Sequence, residues 1–137
     1  MGSGHMGLSY GFREGSVYIS EVSKQSGLSI HTLRYYEKEG LLTEVSRDVS
    51  GRRVYSNNDL IWLSWIQRLK TTGMKLDDIK QFSALRKIGD SSISDRKDML
   101  IHHAQKLKAD IQRLEDELEV VEYKVSAYAE KEHSLLT

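Results

Sequence analysis

The chain has 137 residues, no cysteine and no proline. Zinc ribbons, thiolate nucleophiles, disulfides and cysteine redox sensing are therefore excluded, and long helices are favoured over a loop-rich all-β chain. The formal net charge is zero, but residues 16–75 hold nine Lys/Arg against six Asp/Glu, and residues 76–137 hold ten against thirteen. A basic front and an acidic back suggest two separate tasks.

The opening Met1–Met6 reads as an expression scar, and residues 1–15 are expected to be flexible. Residues 17–19 form a short apolar lead. Ser20 is the expected N-cap of a first helix at 21–26, ended by Gly27. Ser29 is the expected cap of a second helix at 30–39, stopped by Gly40. Two short helices around a tight glycine turn make a helix-turn-helix candidate. On the second helix Ile30, Leu33 and Tyr36 face inward. His31, Arg34, Tyr35 and Lys38 follow the i, i+3, i+4, i+7 rule and form one outward stripe. Arg34 and His31 are the candidates for reading base edges, and Tyr35 and Lys38 suit phosphates.

Next comes an expected two-stranded wing, residues 43–45 against 53–55, turning at Ser50-Gly51. Arg47, Arg52, Arg53 and Tyr55 concentrate donors there with little acid beyond Asp48, as a phosphate clamp would. Ser56 to Asp59 has the shape of a capping box before an apolar helix at 60–72 closed by Gly73. A further helix is expected at 76–87, then a Gly/Asp/Ser linker at 88–94.

The strongest periodicity lies at the back. Leu100, Ala104, Leu107, Ile111, Leu114, Leu118, Val121, Val125 and Tyr128 alternate spacings of four and three. This is a heptad seam, so residues 95–130 are expected to form a dimerisation coiled coil and 131–137 a flexible tail. A parallel pair would set Asp110 against Glu115 and Glu117 against Glu122. An antiparallel pair centred near Asp116 brings Lys108 to Glu122 and Asp110 to Lys124. Attraction against repulsion favours the antiparallel homodimer.

The run YISEVSKQSGLSIHTLRYYEKEGLL at 18–42, the wing SGRRVY and the segment YSNNDLIWLSWIQRLKTTGMKLDDIK resemble MerR-type transcriptional regulators over about residues 17–85. The resemblance implies a mainly α fold: a winged helix-turn-helix with a small β wing (16–87 with its following helix pair), then a long antiparallel dimerisation helix. It implies a homodimer on a pseudo-palindromic promoter whose spacer is overlong for RNA polymerase. The spacer is bent and untwisted, in response to a small-molecule effector, to realign the promoter. Arg34 and Tyr35 from the recognition helix, with Arg53 and Tyr55 from the wing, would contact the DNA. Such a protein is expected to be cytoplasmic, bacterial and nucleoid-associated, with no membrane partner.

The chain departs from the family pattern at three positions. Arg52 stands where a wing aromatic is common, Lys75 where a Ser cap is usual, and Trp62 at a commonly polar position, whereas Trp65 matches an aromatic core site. Trp62, Trp65 and Tyr123 are the effector candidates, with Trp62 favoured as an additional core aromatic. No cofactor is expected. His102 and His103 are adjacent and point about 100° apart on a helix, a poor chelate, so no metal site is expected. No catalytic arrangement appears, so an enzyme is not expected. Competing readings are a coiled-coil adaptor whose front domain binds protein, and an architectural DNA binder without effector control.

Overall fold

The computed structural model describes residues 17–42 and 45–137. The elements are β1 (Val17–Tyr18), α1 (Ile19–Ser26), α2 (Ile30–Lys38), β2 (Ser46–Arg47), β3 (Arg53–Tyr55), α3 (Asn57–Thr71), α4 (Leu76–Ile88), a 3-10 turn (Asp90–Ser92) and α5 (Ile93–Leu136). Contacts divide the chain into two units, one through Lys97 and one of Asp98–Thr137.

In the first unit the helix-turn-helix forms around Gly27, whose φ of 78° is a left-handed conformation that glycine adopts without strain. The Gly27 amide closes α1 on the Ser23 carbonyl. Ser29 caps α2 by accepting from the Thr32 amide at 3.0 Å. The capping box at α3 is complete: Ser56 Oγ accepts from the Asp59 amide, and an Asp59 carboxylate oxygen accepts from the Ser56 amide. Lys75 provides no side-chain cap for α4, and Asp77 and Asp78 lie in its first turn, where the helix dipole favours acids.

Three expectations shift. The first helix starts at Ile19 rather than after Ser20, with the extended Tyr18 as N-cap. The reason is a strand the sequence reading did not contain: β1 pairs antiparallel with β3, Val17 against Tyr55 and Tyr18 against Val54, so the helix begins where the pairing ends. The wing pairs Ser46 with Val54 and Arg47 with Arg53. Val45 lies outside the strands, and Thr43 and Glu44 lie outside the described residues, as does the opening expected to be flexible. The turn explains the new register. The Asp48 amide donates to the Arg52 carbonyl and the Gly51 amide to the Asp48 carbonyl, so the ladder begins directly at residue 47. β3 is the central strand of the three.

The core is built from Val22 of α1, Leu33 and Tyr36 of α2, Leu41 and Leu42 behind them, Tyr55 of β3, Leu60, Leu63, Ile66 and Leu69 of α3, and Ile79 and Phe82 of α4. Trp62 joins this core. Its ring stacks on Phe82 with centroids 5.6 Å apart, Arg86 lies over it at 4.2 Å, and its Nε1 donates to the Leu41 carbonyl. Trp62 is only 4% exposed, as an additional core aromatic would be. Trp65, expected in the core, is 39% exposed, because at 100° per residue it falls between the buried positions of α3.

Residues 88–94, expected as a linker, are ordered. Ser92 is buried, and its hydroxyl donates to the Leu85 and Gly89 carbonyls. Arg96 then returns to Ser92 Oγ and to the Gly89 carbonyl.

In the second unit α5 runs without interruption to Leu136, past the expected tail boundary at 131. Ala129, Glu130, Lys131 and Glu132 are helix formers, and neither glycine nor proline breaks the run. No residue of this helix is buried. Among the described residues no helix is long and apolar enough to cross a membrane, and no cluster of three metal-ligating side chains occurs.

Candidate nucleic-acid interface

Helix α2 is amphipathic in the sense its sequence dictates. Leu33 and Tyr36 are buried, whereas His31, Arg34, Tyr35 and Lys38 are all exposed on the opposite side. Its end is held firmly. The amides of Leu41 and Leu42 both donate to the Tyr36 carbonyl. Ser83 of α4 donates to the Gly40 carbonyl, and Lys80 pairs with Glu39. That lysine holds the Glu39 carboxyl below its ordinary pKa. The recognition stripe therefore stands on a helix anchored at its C-terminal end by α3 and α4.

The wing brings its arginines to the same place. Arg34 of α2 lines one open cavity of about 200 Å3 together with Arg47, Arg52 and Arg53 of the wing and Tyr18 and Ser20 at the start of α1. Four guanidinium-bearing side chains around one cavity attract a polyanion, and arginine forks match phosphate oxygens.

The four are not equivalent. Arg47 Nη1 donates to the Gly51 carbonyl at 2.7 Å, a contact within the wing. Arg52 lies over the Tyr18 ring at 3.6 Å. Arg53 Nε donates to Glu37 Oε1, tying the wing to the recognition helix. No ion pair forms at Arg34 among the described residues.

Tyr55 is the correction here. The sequence placed it among the phosphate contacts, but its side chain is fully buried and its hydroxyl has no partner. Burial, with Glu37 nearby, pushes that hydroxyl above its ordinary pKa. The cause is the three-stranded sheet: β3 is central, and Val17 of β1 faces Tyr55.

Two residues of the site escaped sequence reasoning. Glu37 lies three positions after Arg34, one turn along α2, and a carboxylate on a helix facing a basic hairpin is a legible signal. Tyr18 carried none, since the short strand that places it has no pattern of its own. Of the remaining effector candidates, Tyr123 lies in the second unit and is strongly exposed.

The chain matches the family model of the MerR HTH family regulatory protein over residues 18–85, and that of the MerR DNA-binding domain over residues 60–119. It is 41% identical over 109 residues to an uncharacterised HTH-type transcriptional regulator of Haemophilus influenzae, covering 80% of this chain and 81% of that protein. Among solved structures it is similar to HiNmlR, a MerR family regulator lacking the sensor domain, bound to promoter DNA. That match has a TM-score of 0.78 and 39% identity, covering 85% of this chain and 92% of the other. A MerR family transcriptional regulator from Bacillus thuringiensis matches with a TM-score of 0.73 and 32% identity, over 82% of this chain and 98% of the other. With its wing, its recognition helix and its long C-terminal helix matched in order, the chain belongs to the MerR family of transcriptional regulators.

Proposed function

We propose that the chain binds a pseudo-palindromic promoter as an antiparallel homodimer and distorts the spacer between the promoter elements that RNA polymerase reads. The observation that carries this reading is the convergence of Arg34 from the recognition helix with three wing arginines on one cavity, beside the exposed stripe of His31, Tyr35 and Lys38. The promoter-bound state of HiNmlR supports it. Arg34 and His31 read base edges in the major groove; Tyr35, Lys38, Arg47, Arg52 and Arg53 hold phosphates.

The second copy is argued from the back half. Ile111, Leu114, Leu118, Val121, Val125 and Tyr128 are all exposed along the seam of α5. An apolar stripe at heptad spacing is stabilised by a partner helix. Two half-sites read by two recognition helices and clamped by two wings bend the intervening DNA, and the elastic cost of about 1–10 kcal/mol is offset by the phosphate contacts. A small-molecule effector sets the balance between bent and unbent spacer, with Trp65 and Tyr123 as the accessible aromatic candidates. A promoter partner places the protein in the cytoplasm, on the nucleoid.

Fluorescence anisotropy with duplex DNA from upstream of its own gene, against scrambled DNA over a salt series, tests the reading. Two chains per duplex, a preference for the promoter and steep loss with salt are expected. Indifference to DNA at low salt would move the front domain to a protein partner, and equal binding to both duplexes would leave an architectural binder. The orientation is tested by disulfide trapping, since the chain has no cysteine of its own. Mixed Ala104→Cys and Tyr128→Cys chains should cross-link to each other. Trapping of Ala104→Cys chains only with themselves would make the pair parallel.

A further inference from the structure

The wing contains an acid where a DNA contact surface would be expected to exclude one. Asp48 sits at the start of the wing turn, between Arg47 and the Arg52-Arg53 pair. Elementary electrostatics says that a carboxylate beside bound phosphates weakens binding. Every oxygen of this carboxylate is nevertheless engaged. Oδ1 accepts from the amides of Ser50 at 2.9 Å and Arg52 at 3.0 Å, and Oδ2 accepts from the Tyr18 hydroxyl at 2.8 Å. The first two bonds shape the turn. The third reaches thirty residues back in sequence to β1, and the same Tyr18 ring carries the Arg52 guanidinium at 3.6 Å.

We infer that Asp48 and Tyr18 are positioning residues for DNA binding: together they brace the wing turn against the start of α1, so that Arg47, Arg52 and Arg53 meet Arg34 around one cavity before DNA arrives. The inference rests on the DNA-binding reading above and adds to it a brace that touches no DNA. The wing is a hairpin of two- and three-residue strands, with two ladder pairs between β2 and β3. So short a hairpin is marginal by itself. Its β3 side is held by β1 and by the Arg53–Glu37 pair, and the Tyr18–Asp48 bond extends that hold to the turn, so that less ordering of Arg47 and Arg52 falls on the binding step. Hydrogen bonding by Tyr18 lowers the Asp48 pKa and raises that of Tyr18, as a phenol-to-carboxylate bond requires. The carboxylate therefore stays ionised and accepting at neutral pH.

The test turns on a sign. Asp48→Ala removes a negative charge from a phosphate-binding surface, which by charge alone tightens binding. The brace predicts about 2- to 10-fold weaker binding to promoter and scrambled duplexes alike. Asp48→Asn keeps an oxygen for the turn amides and an amide group that can donate to the Tyr18 oxygen, and should bind at least as well as wild type. Tyr18→Phe, which keeps the ring under Arg52, should weaken both duplexes by about 2- to 5-fold with the salt slope unchanged, because no phosphate contact is lost. Backbone amide relaxation of Ser50 and Arg52 in the free protein reads the brace without DNA, and both amides should become more mobile in Tyr18→Phe.

Tighter binding by Asp48→Ala, or a silent Tyr18→Phe, overturns the inference. A Tyr18→Phe salt slope reduced by about one would make Tyr18 a direct phosphate contact instead. If wild-type protein ignores DNA while Tyr18→Phe still loosens the turn, the DNA-binding reading fails and the brace survives only as wing structure. If the turn amides stay rigid in a variant that loses affinity, the brace itself is wrong.

Discussion

The two halves of this chain solve opposite problems. The residues through Lys97 bury Leu33, Leu60, Leu63 and Ile66 completely and leave cationic side chains outside, while the helix from Asp98 onward buries nothing and leaves its apolar seam in the open. The first is complete as a packed object, with caps at α2 and α3 and a buried tryptophan whose indole N–H has an acceptor. The second is complete only as a sequence pattern. An α-helix satisfies its own backbone, so it forms from propensity and length, but its apolar stripe gains nothing until another surface covers it. Where a side chain ends up is decided by neighbours in the first half and by a periodicity awaiting a neighbour in the second.

The contrast is broken most severely in the core. Leu63→Ala should cost about 2–5 kcal/mol, because a fully buried leucine leaves a cavity. Denaturant melts followed by tryptophan fluorescence would show it. Leu118→Ala, at an exposed seam position, should leave that tryptophan transition in place and lower the association constant in sedimentation. Equal loss in the tryptophan melt from both would erase the distinction between the halves.

Within the front half, Arg34→Ala should cost about 1–3 kcal/mol on the promoter and much less on scrambled duplex, relaxing specificity. Arg53→Ala should weaken both duplexes together and reduce the salt slope by about 0.9. Competition binding over a salt series separates the two behaviours. Arg53→Ala also strips Glu37 of its partner, so Arg53→Ala with Glu37→Gln should recover part of the loss, because the unpaired carboxylate no longer repels phosphate.

The smallest effect distinguishes core from contact at one tyrosine. Tyr55→Phe removes a buried hydroxyl without a partner, so stability should stay level or rise by about 1 kcal/mol, with DNA affinity unchanged. The pH dependence follows from the same burial. The folded-state pKa of Tyr55 lies above the unfolded value of about 10, so the folded state holds its proton longer. Wild-type stability is constant with respect to this group below about pH 10 and falls as pH rises toward the folded pKa. Tyr55→Phe should flatten that alkaline decline in urea melts taken from pH 9 to 11. A loss of affinity in Tyr55→Phe would return the residue to the DNA contacts.

The helices, the caps at Ser29 and Ser56, the exposed stripe at His31, Arg34, Tyr35 and Lys38, and the heptad seam were legible in the residues alone. Each of these is written in residues within a few turns of one another, where spacing and propensity act directly. The three-stranded sheet, the fate of Tyr55, the partners of Trp62, and the meeting of Arg34 with the wing arginines came from contacts between residues distant in sequence. Val17 meets Tyr55 across nearly forty residues, and Tyr18 reaches Asp48 across thirty. A two-residue strand has too short an alternation to announce its partner. Trp62 stacks on Phe82 and donates to the Leu41 carbonyl, and both residues arrive from other elements, so what its ring packs against is not written in the spacing of its own helix.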